Sequence, residues 1–375
     1  MCILLLYILA FVFSFSIVLY SIPKILLWAI TKKLIDKPNK RKVHTEIAAR
    51  LGGLCFFPAI FFSITLCTII ALFLSEEPNS PFSFYKEILN FRVLYLLTAF
   101  FLIYVIGIID DIKGMRYKKK IIYQIITALL IISSGTWIHN LCGVFGFFEI
   151  PAYIGMPLTV LFIVFIINAI NLIDGIDGLS SGLSIIITTV FIGLFYCFNK
   201  QSSLLLSSAL IGMLIPFFLY NLLGVEKKYK IFMGDSGSLL IGTILSYFAI
   251  SGSQLGINSS ILSVEGTFLI SASALLIPCL DTLNVMCHRI KNGKSIFCPD
   301  KNHIHHKLMA AGLSQRKTLI TILTINIVFL IVNMLLFPLM NINNILFIDV
   351  LIYTFIQILI SKKIKTVSQK LKQSK

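Results

Sequence analysis

Apolar runs of about 20 residues, separated by short charged or turn segments, recur from one end of this chain to the other. A run of this length can cross the hydrocarbon core of a bilayer as a helix, because each helical residue adds about 1.5 Å. The predicted spans are residues 3–30, 51–74, 92–109, 120–138, 153–170, 179–198, 202–223, 236–253, 264–285, 318–337 and 343–360. The sequence therefore predicts an all-α polytopic integral membrane protein with eleven transmembrane helices.

The composition excludes a water-soluble globular protein. Hydrophobic residues make up 57% of the 375 positions, charged residues only 13%, and the mean hydropathy is +0.93. Soluble domains carry about 25% charged residues, which they need to cover their surface. The formal net charge of +16 would indicate a nucleic-acid partner in a soluble chain, but a membrane protein offers another explanation.

The basic residues lie almost entirely on one side of the predicted membrane. Of the 32 Lys and Arg residues, 28 fall in the segments 31–50, 110–120, 224–235, 286–317 and 361–375. Because cytoplasmic loops are enriched in Lys and Arg, these segments are predicted to be cytoplasmic. An odd number of spans then places the N-terminus outside and the C-terminus in the cytoplasm. This distribution accounts for the net charge without a nucleic-acid partner.

We expect one transmembrane domain over residues 1–361, followed by a basic cytoplasmic tail over residues 362–375 that lies along the anionic inner leaflet. The first positive charge, Lys24, follows the first apolar run, so we expect that run to be retained as a span rather than cleaved as a signal peptide. The eight cysteines show no metal-ligand spacing and are interpreted as small hydrophobic residues.

Aspartates gather at the predicted cytoplasmic ends of the spans: Asp110, Asp111, Asp174, Asp177 and Asp235. An aspartate inside a membrane helix costs about 2.5–3.5 kcal/mol on insertion scales, which indicates a role other than stability. The adjacent Asp110 and Asp111 repel each other unless a cation or a shared proton lies between them. Taken alone, however, this pair also fits a solvated helix end.

The segment Asn168–Leu179 places a polar residue at every third position within an apolar context, with Gly175 and Gly178 between the aspartates. Glycine allows the chain to leave the helix there, which predicts an elbow rich in amide and carboxylate oxygens. Such oxygens suit Mg²⁺, which keeps several waters and takes other ligands from a phosphate substrate. An ordinary capped helix end would leave the repetition unexplained.

Two further clusters complete the pattern. Asp235, between glycines at the start of a span, is either a helix cap or a metal ligand, and that helix start could hold phosphate. His303, His305 and His306 lie in the longest cytoplasmic loop and lack the partners of a zinc site, so we interpret them as part of an anion site.

These clusters predict phosphoryl transfer between a soluble diphosphate compound and a lipid phosphate at the membrane surface. The chain has no P-loop, no HExxH and no GxGxxG opening a helix after a strand, which argues against an ATPase or a soluble nucleotide-binding fold. A transporter or lipid flippase is the alternative from another class. Its polar residues should line the midplane of the membrane, whereas here they gather at one face.

The chain resembles the polyprenyl-phosphate N-acetylhexosamine-1-phosphate transferases, a group within glycosyltransferase family 4. The resemblance covers most of the chain and depends on ordered motifs, which are Asp36–His44, Arg50–Gly53, Asp110–Asp111, Asn168–Gly178, Met233–Ser238 and His303–His306. The sequence His-Ile-His-His is similar to the branch that uses UDP-N-acetylglucosamine. The branch that uses UDP-N-acetylmuramoyl-pentapeptide is expected to have three consecutive histidines, and it remains the alternative within the enzyme class.

The resemblance implies a role for each candidate residue. Asn171 and Asp235 would bind Mg²⁺, or Mn²⁺ as an alternative ion, together with the substrate diphosphate. Asp110 and Asp111 would be catalytic residues beside the lipid phosphate, acting either as a base or electrostatically. The remaining candidates would bind substrate: Asp174 and Asp177 in the nucleotide pocket, Lys120 at the diphosphate, and His303, His305 and His306 at phosphate or sugar.

The implied reaction is attack of undecaprenyl phosphate on UDP-N-acetylglucosamine or a related UDP-N-acetylhexosamine. It releases UMP and initiates a lipid-linked surface glycan such as O-antigen, common antigen or teichoic acid. Residues 1–361 would be the catalytic domain of a multi-pass protein of the bacterial inner membrane, with its active site facing the cytoplasm. The implied partners are the UDP-sugar, undecaprenyl phosphate and the bilayer, with no nucleic acid, and a homodimer remains open.

Overall fold

The computed structural model describes residues 2–32, 35–36, 48–49, 51–73, 91–224, 230–257, 259–295, 300 and 302–373. Within these ranges the chain forms thirteen α-helices, two short 3₁₀ helices and three two-residue strands. The helices are α1 (Cys2–Thr31), α2 (Phe56–Phe73), α3 (Phe91–Lys113), α4 (Tyr117–Ser133), α5 (Ala152–Ile173), α6 (Leu179–Cys197), α7 (Gln201–Leu223), α8 (Gly234–Ser253), α9 (Val264–Ala274), α10 (Leu276–Lys291), α11 (Ile304–Ala310), α12 (Gln315–Leu336) and α13 (Ile342–Gln373).

The predicted fold class is confirmed, because nine helices of the described chain are long and apolar enough to cross a membrane. Helices α9 and α10, bent by 65° at their junction, form a tenth candidate span. The remaining predicted span, residues 120–138, corresponds to α4, which has 17 residues and is shorter than the others. Each of the eleven predicted spans thus coincides with a helix or with the bent pair, and the orientation of the termini stays a prediction.

Buried hydroxyl groups within the spans bond to their own helices. Ser184 donates to the carbonyl of Ser180 at 2.7 Å, and Thr188 donates to the carbonyl of Ser184 at 2.7 Å. In hydrocarbon an unpaired polar group costs several kcal/mol, so these bonds to the preceding turn allow serine and threonine to lie inside α6.

Helix α8 lies at the centre of the bundle. In its most apolar 18-residue stretch 83% of the residues are buried, compared with 22% in that of α1. Helix α8 packs against α3, α5 and α6. Close approach to α5 depends on Gly242, where a Cβ atom would lie 2.8 Å from Cα of Ile167. Small residues at such contacts are typical of membrane helices, whose backbones pack closely by van der Waals contact.

A small three-stranded sheet lies beside the start of α8. Strand β2 (Ala48–Ala49) pairs antiparallel with β1 (Ile35–Asp36) and parallel with β3 (Lys230–Ile231). The 3₁₀ helix Gly52–Cys55 continues this contact, because Gly52 N–H donates to the carbonyl of Phe232 at 2.9 Å. The fold thereby brings the segment around Gly52 beside the start of α8.

The two ends of the bundle differ in chemistry. At one end, which we call the acidic end, the carboxylate of Asp111 at the end of α3 accepts from the backbone at the start of α8. At the opposite end, which we call the distal end, Gln254 after α8 bonds to the segment that follows α4, donating to the carbonyl of Trp137 at 3.1 Å. Another 3₁₀ helix, Val144–Gly146, also lies in the connection between α4 and α5 at the distal end.

Candidate active site

Asp111 holds the start of α8 against the end of α3. Its Oδ1 accepts from the backbone N–H of Asp235 at 2.7 Å, and its Oδ2 accepts from that of Ser236 at 2.9 Å. The first N–H groups of a helix have no partner within the helix, and a carboxylate there also interacts favourably with the helix dipole. Gly107 permits the approach, since a Cβ atom there would lie 2.4 Å from Cα of Ser236.

Lys120 bridges two carboxylates that come from different helices. Its Nζ lies 2.9 Å from Oδ2 of Asp110 and 3.0 Å from Oδ1 of Asp235. The other oxygen of Asp110 accepts from the backbone N–H of Met115 at 2.6 Å. The ammonium group thus offsets the repulsion between two neighbouring negative charges at the acidic end.

Asp235 is also contacted by the last turn of α5. The side-chain amide of Asn171 donates to Oδ1 of Asp235 at 2.5 Å and to Oγ of Ser238 at 2.8 Å. Asn168, one turn earlier, instead donates to Gln124 of α4 at 2.7 Å. We call Asp110, Asp111, Asp174, Asp177 and Asp235 the acidic cluster. Asn171 therefore contacts the acidic cluster, whereas Asn168 joins α4 to α5.

The elbow predicted after α5 is present. Gly178 has the left-handed φ of +79° that favours glycine, and α6 begins at the next residue. Its N–H donates to Oδ1 of Asn221 at 2.5 Å, and the side-chain amide of Asn221 donates to the carbonyl of Ile231 at 2.8 Å. Asp177 pairs with Lys230, with 2.6 Å between Oδ2 and Nζ. The elbow is thus fixed to the segment that leads into α8.

Asp174 lies in this elbow among other carboxylates. Burial, and to a smaller extent the negative charges of Asp235, Asp177 and Asp111, together raise the pKa of Asp174 to about 7. Part of this shift comes from repulsion between neighbouring carboxylates. A bound cation would relieve this repulsion.

His305 joins the histidine cluster to the elbow. Its ring is buried, and a Cβ atom on Gly175 would lie 2.2 Å from Nε2. Burial and the charges of His306 and His303 hold the pKa of His305 well below its usual value, so the ring is neutral at pH 7. The ring of His306 is next to it, with 4.2 Å between the ring centroids.

His303 is fixed by a buried carboxylate of α10. Its Nδ1 lies 2.8 Å from Oδ2 of Asp281, and the backbone N–H of Ile304 donates to Oδ1 of Asp281 at 2.8 Å. Asp281 thus bonds both to the ring of His303 and to the start of α11. Because Nδ1 faces this carboxylate, the hydrogen bond holds the ring in the tautomer that carries its proton on that atom.

Helix α13 supports the same carboxylate from the other side. The hydroxyl of Tyr353 donates to Oδ1 of Asp281 at 3.2 Å, and Gln357 donates to the oxygen of Tyr353 at 2.8 Å. Lys307 of α11 closes the network by donating to Gln357 at 2.9 Å. The position of the histidine cluster therefore depends on the last helix of the chain.

Comparison with known proteins places this chain in a family. The model of the family described as glycosyl transferase family 4 matches residues 93–253. A Bacillus subtilis (strain 168) protein, named a probable undecaprenyl-phosphate N-acetylglucosaminyl 1-phosphate transferase, is 33% identical over 328 residues, which are 85% of this chain and 82% of that protein. The chain belongs to glycosyl transferase family 4.

Two further relatives extend the comparison. An undecaprenyl-phosphate alpha-N-acetylglucosaminyl 1-phosphate transferase of Yersinia pestis is 29% identical over 316 residues, covering 84% of this chain and 79% of the relative. The protein of the same name from Salmonella typhi is 32% identical over 297 residues, covering 78% and 74% respectively. The region matched by the family model runs from α3 to α8 and contains every aspartate of the acidic cluster.

The residues of this family 4 chain fit Mg²⁺. Among the described residues, no group of three or more His, Cys, Asp or Glu side chains is arranged to hold a metal ion. Mg²⁺ does not need one, because it is usually bound by one or two carboxylates together with waters and substrate phosphates. Asp235 supplies a carboxylate, and the side chain of Asn171, whose amide nitrogen bonds to that carboxylate, also carries an oxygen. The carboxylates around Asp174 add negative charge nearby. Their metal-binding role stays a prediction.

The structure brings most of the predicted site residues together. Asp110, Asp111, Lys120, Asn171 and Asp235 meet at the start of α8, and His305 lies against the elbow that carries Asp174 and Asp177. His303 is directed toward Asp281 of α10. The segment 37–47 and Arg50, which belong to the two earliest motifs of the resemblance, lie outside the described residues.

Four functional candidates were not among the predicted site residues: Asp281, Tyr353, Gln357 and Asn221. A polar side chain inside a membrane span costs free energy, and this cost could have indicated Asn221, Asp281 and Gln357, which fall within the predicted spans 202–223, 264–285 and 343–360. Nothing local to the sequence connects Gln357 with the histidines, because the contact is made between α11 and α13.

Proposed function

We propose that this chain transfers N-acetylglucosamine-1-phosphate from UDP-N-acetylglucosamine to undecaprenyl phosphate, with release of UMP, and so initiates a lipid-linked surface glycan. The proposal places the enzyme in the bacterial inner membrane with its acidic end toward the cytoplasm. The observation that carries it is the meeting of Asp110, Lys120, Asn171 and Asp235 at one end of the bundle. The sugar and the lipid are those named for the relatives from Bacillus subtilis and Yersinia pestis.

In the proposed reaction, an oxygen of the lipid phosphate attacks the phosphorus that carries the sugar. The bond from that phosphorus to the bridging oxygen breaks, and UMP leaves with the bonding electrons. A phosphate monoester has its second pKa near about 6 and is largely ionised at neutral pH, so no strong base is required. The main task of the protein is to position two anionic reactants and to neutralise their charge.

The contacts favour an electrostatic role for the aspartate pair over a role as base. Both oxygens of Asp111 accept backbone N–H groups at the start of α8, so this side chain is engaged in holding that helix. The oxygens of Asp110 are bonded to Lys120 and to the backbone of Met115. We assign Asp111 to positioning of α8 and Asp110 to positioning of Lys120.

Lys120 is the side chain best placed to contact the substrate diphosphate, because it already bridges carboxylates at the start of α8. A phosphate oxygen that approaches could replace one of these carboxylates at the ammonium. Mg²⁺, if held by Asn171 and Asp235, would add charge neutralisation at the diphosphate. The neutral ring of His305 could serve as a hydrogen-bond donor or acceptor to phosphate or sugar without adding charge.

The choice of donor tests this proposal. The purified chain is incubated with undecaprenyl phosphate, Mg²⁺ and either UDP-N-acetylglucosamine or UDP-N-acetylmuramoyl-pentapeptide, and both UMP and the lipid product are analysed. We expect UMP and a lipid diphosphate N-acetylglucosamine only with the first donor. Product from the muramoyl donor alone would assign the chain to the other branch, and no product from either would refute the transferase proposal.

A further inference from the structure

A polar cavity lies at the distal end, away from the candidate active site. Its volume is about 310 Å³, and it lies between the segment that follows α4, the end of α6 with the start of α7, and the last turns of α8. Small-molecule sites commonly have volumes of about 300–1,000 Å³. The cavity is therefore large enough to hold a small ligand or the head group of a lipid.

The rim of this cavity is polar and basic. Thr136, His139, Lys200 and Ser203 line it, and none of its described lining residues is acidic. Arg92 lies beside it, because its Nε is 3.7 Å from the place a Cβ atom would take on Gly135 in the cavity wall. The rim thus combines cationic groups with hydroxyls, which together suit a phosphate group.

The positions of Arg92 and Lys200 are unusual for this chain. Of the 32 Lys and Arg residues, 28 fall in the predicted cytoplasmic segments, so basic residues are scarce at the distal end. Two of the four that remain are nevertheless found at one cavity. The general preference for basic cytoplasmic loops does not account for these two residues.

The wall of the cavity is held by hydrogen bonds within the chain. Gln254 accepts from the N–H of His139 at 3.3 Å and donates to the carbonyl of Trp137 at 3.1 Å, which fixes the segment after α4 to α8. The rings of Trp137 and His139 meet edge to face with 5.6 Å between centroids. A fixed wall lowers the entropic cost of binding.

Two aromatic side chains also line the cavity. They are Phe195 and Tyr247, and Tyr247 lies six residues, or about 9 Å, before the last residue of α8, Ser253. Basic groups at the end of the bundle with aromatic rings nearer its middle are complementary to an amphiphile, whose phosphate binds the basic groups and whose apolar part contacts the rings. A soluble phosphate would use only the rim.

We propose that this distal cavity binds the phosphate-bearing head group of an anionic phospholipid from the leaflet opposite the acidic end. Arg92 and Lys200 would contact the phosphate, and Tyr247 and Phe195 the adjoining apolar part. The inference does not depend on the proposed transferase activity, because none of these residues belongs to the candidate active site.

Tryptophan fluorescence offers a direct test, since the chain has only two tryptophans and one of them, Trp137, lines the cavity. The full chain with Trp28→Phe, purified in detergent, is titrated with brominated phosphatidylglycerol or brominated phosphatidylcholine. We expect saturable quenching of Trp137 that is stronger with the anionic lipid. Lys200→Gln should weaken the binding of the anionic lipid about tenfold or more, whereas Lys200→Arg, which keeps the charge, should retain it. Lys362→Gln, in the exposed tail of α13, is the control and should leave the binding of this lipid unchanged.

Three results would overturn the proposal. Equal quenching by both lipids would show that charge is not recognised. Unchanged binding by both Lys200→Gln and Arg92→Gln would show that the basic rim has no part in it. Displacement of the brominated lipid by inorganic phosphate at similar concentration would assign the cavity to a soluble anion instead. The melting temperature of each variant and the retention of binding by Lys200→Arg separate loss of the site from loss of the fold.

Discussion

The ring of His305 lies directly on the backbone of Gly175, so that any side chain at that glycine would meet Nε2 at 2.2 Å. This contact joins the histidine cluster of α11 to the elbow after α5. Residues that are 130 positions apart in the sequence thereby share one site. The order of the clusters along the chain gave no information about this contact.

Substituting Gly175→Ala should displace His305 and reduce turnover by about 10²-fold, because small displacements of positioning groups are costly in catalysis. Gly193→Ala is the matched control, since no atom lies within 4 Å of the place its Cβ would take. Steady-state assays of both variants make the comparison. Equal activity of the two would contradict the packing of His305 on the elbow.

Substituting Lys120→Gln should lower kcat by about 10²-fold or more, as for the removal of one charge-stabilising donor. The ammonium of Lys120 is bonded to Asp110 and Asp235, whereas the neighbouring Lys119 is exposed. Lys119→Gln should therefore retain activity close to that of the unmodified chain. If both variants lost activity equally, the basic segment would act as a whole and the assignment to Lys120 would be wrong.

Substituting Asp281→Asn should reduce kcat about tenfold or more, because an amide cannot replace the carboxylate that bonds to His303. The variant should still fold and unfold cooperatively on heating. Tyr353→Phe removes the 3.2 Å hydrogen bond to the same carboxylate and the one that Gln357 donates to the hydroxyl, but it leaves the bond between Asp281 and His303 in place, so it should have a milder effect on kcat. Kinetic constants and melting temperatures of both variants are measured together. A fall in stability without a change in kcat for Asp281→Asn would limit this residue to a structural role.

Substituting Asp111→Asn should destabilise the start of α8 by about 1–3 kcal/mol, because an amide nitrogen would face a backbone N–H that now has a carboxylate partner. The thermal inactivation midpoint in detergent measures the effect. Lys119→Gln again provides the control, since its side chain is exposed at the same end. An unchanged midpoint for Asp111→Asn would mean that the hydrogen bonds of Asp111 do not hold α8 in place.

The helices and the identity of the acidic cluster followed from the sequence because both depend on local chemistry. Apolar length determines the spans, and an aspartate such as Asp235 within an apolar context is costly enough to be noticed. The bounds of α4 differ from the predicted span 120–138, since this helix runs from Tyr117 to Ser133. Lys118, Lys119 and Lys120 lie in its first turn, so the helix begins before the apolar run.

The partners of each site residue could not be predicted in this way. The sequence left Asp235 open between helix cap and metal ligand, and the structure shows that Asp111 of α3 caps α8 instead. The support of His303 by Asp281 and Tyr353 depends on contacts between α10, α11 and α13. Contacts between distant helices are set by packing, which a pattern of residue types does not encode.

The most direct test of the proposed metal-dependent site is the Mg²⁺ dependence of product formation by the purified chain and by Asp235→Ala. We expect the unmodified chain to release UMP and form the lipid diphosphate sugar with Mg²⁺, to stop when the metal is chelated and to recover when it is restored. Asp235→Ala should keep its melting temperature near that of the unmodified chain and lose turnover at every Mg²⁺ concentration. Near-normal turnover by folded Asp235→Ala, or full activity of the unmodified chain after chelation, would contradict the account.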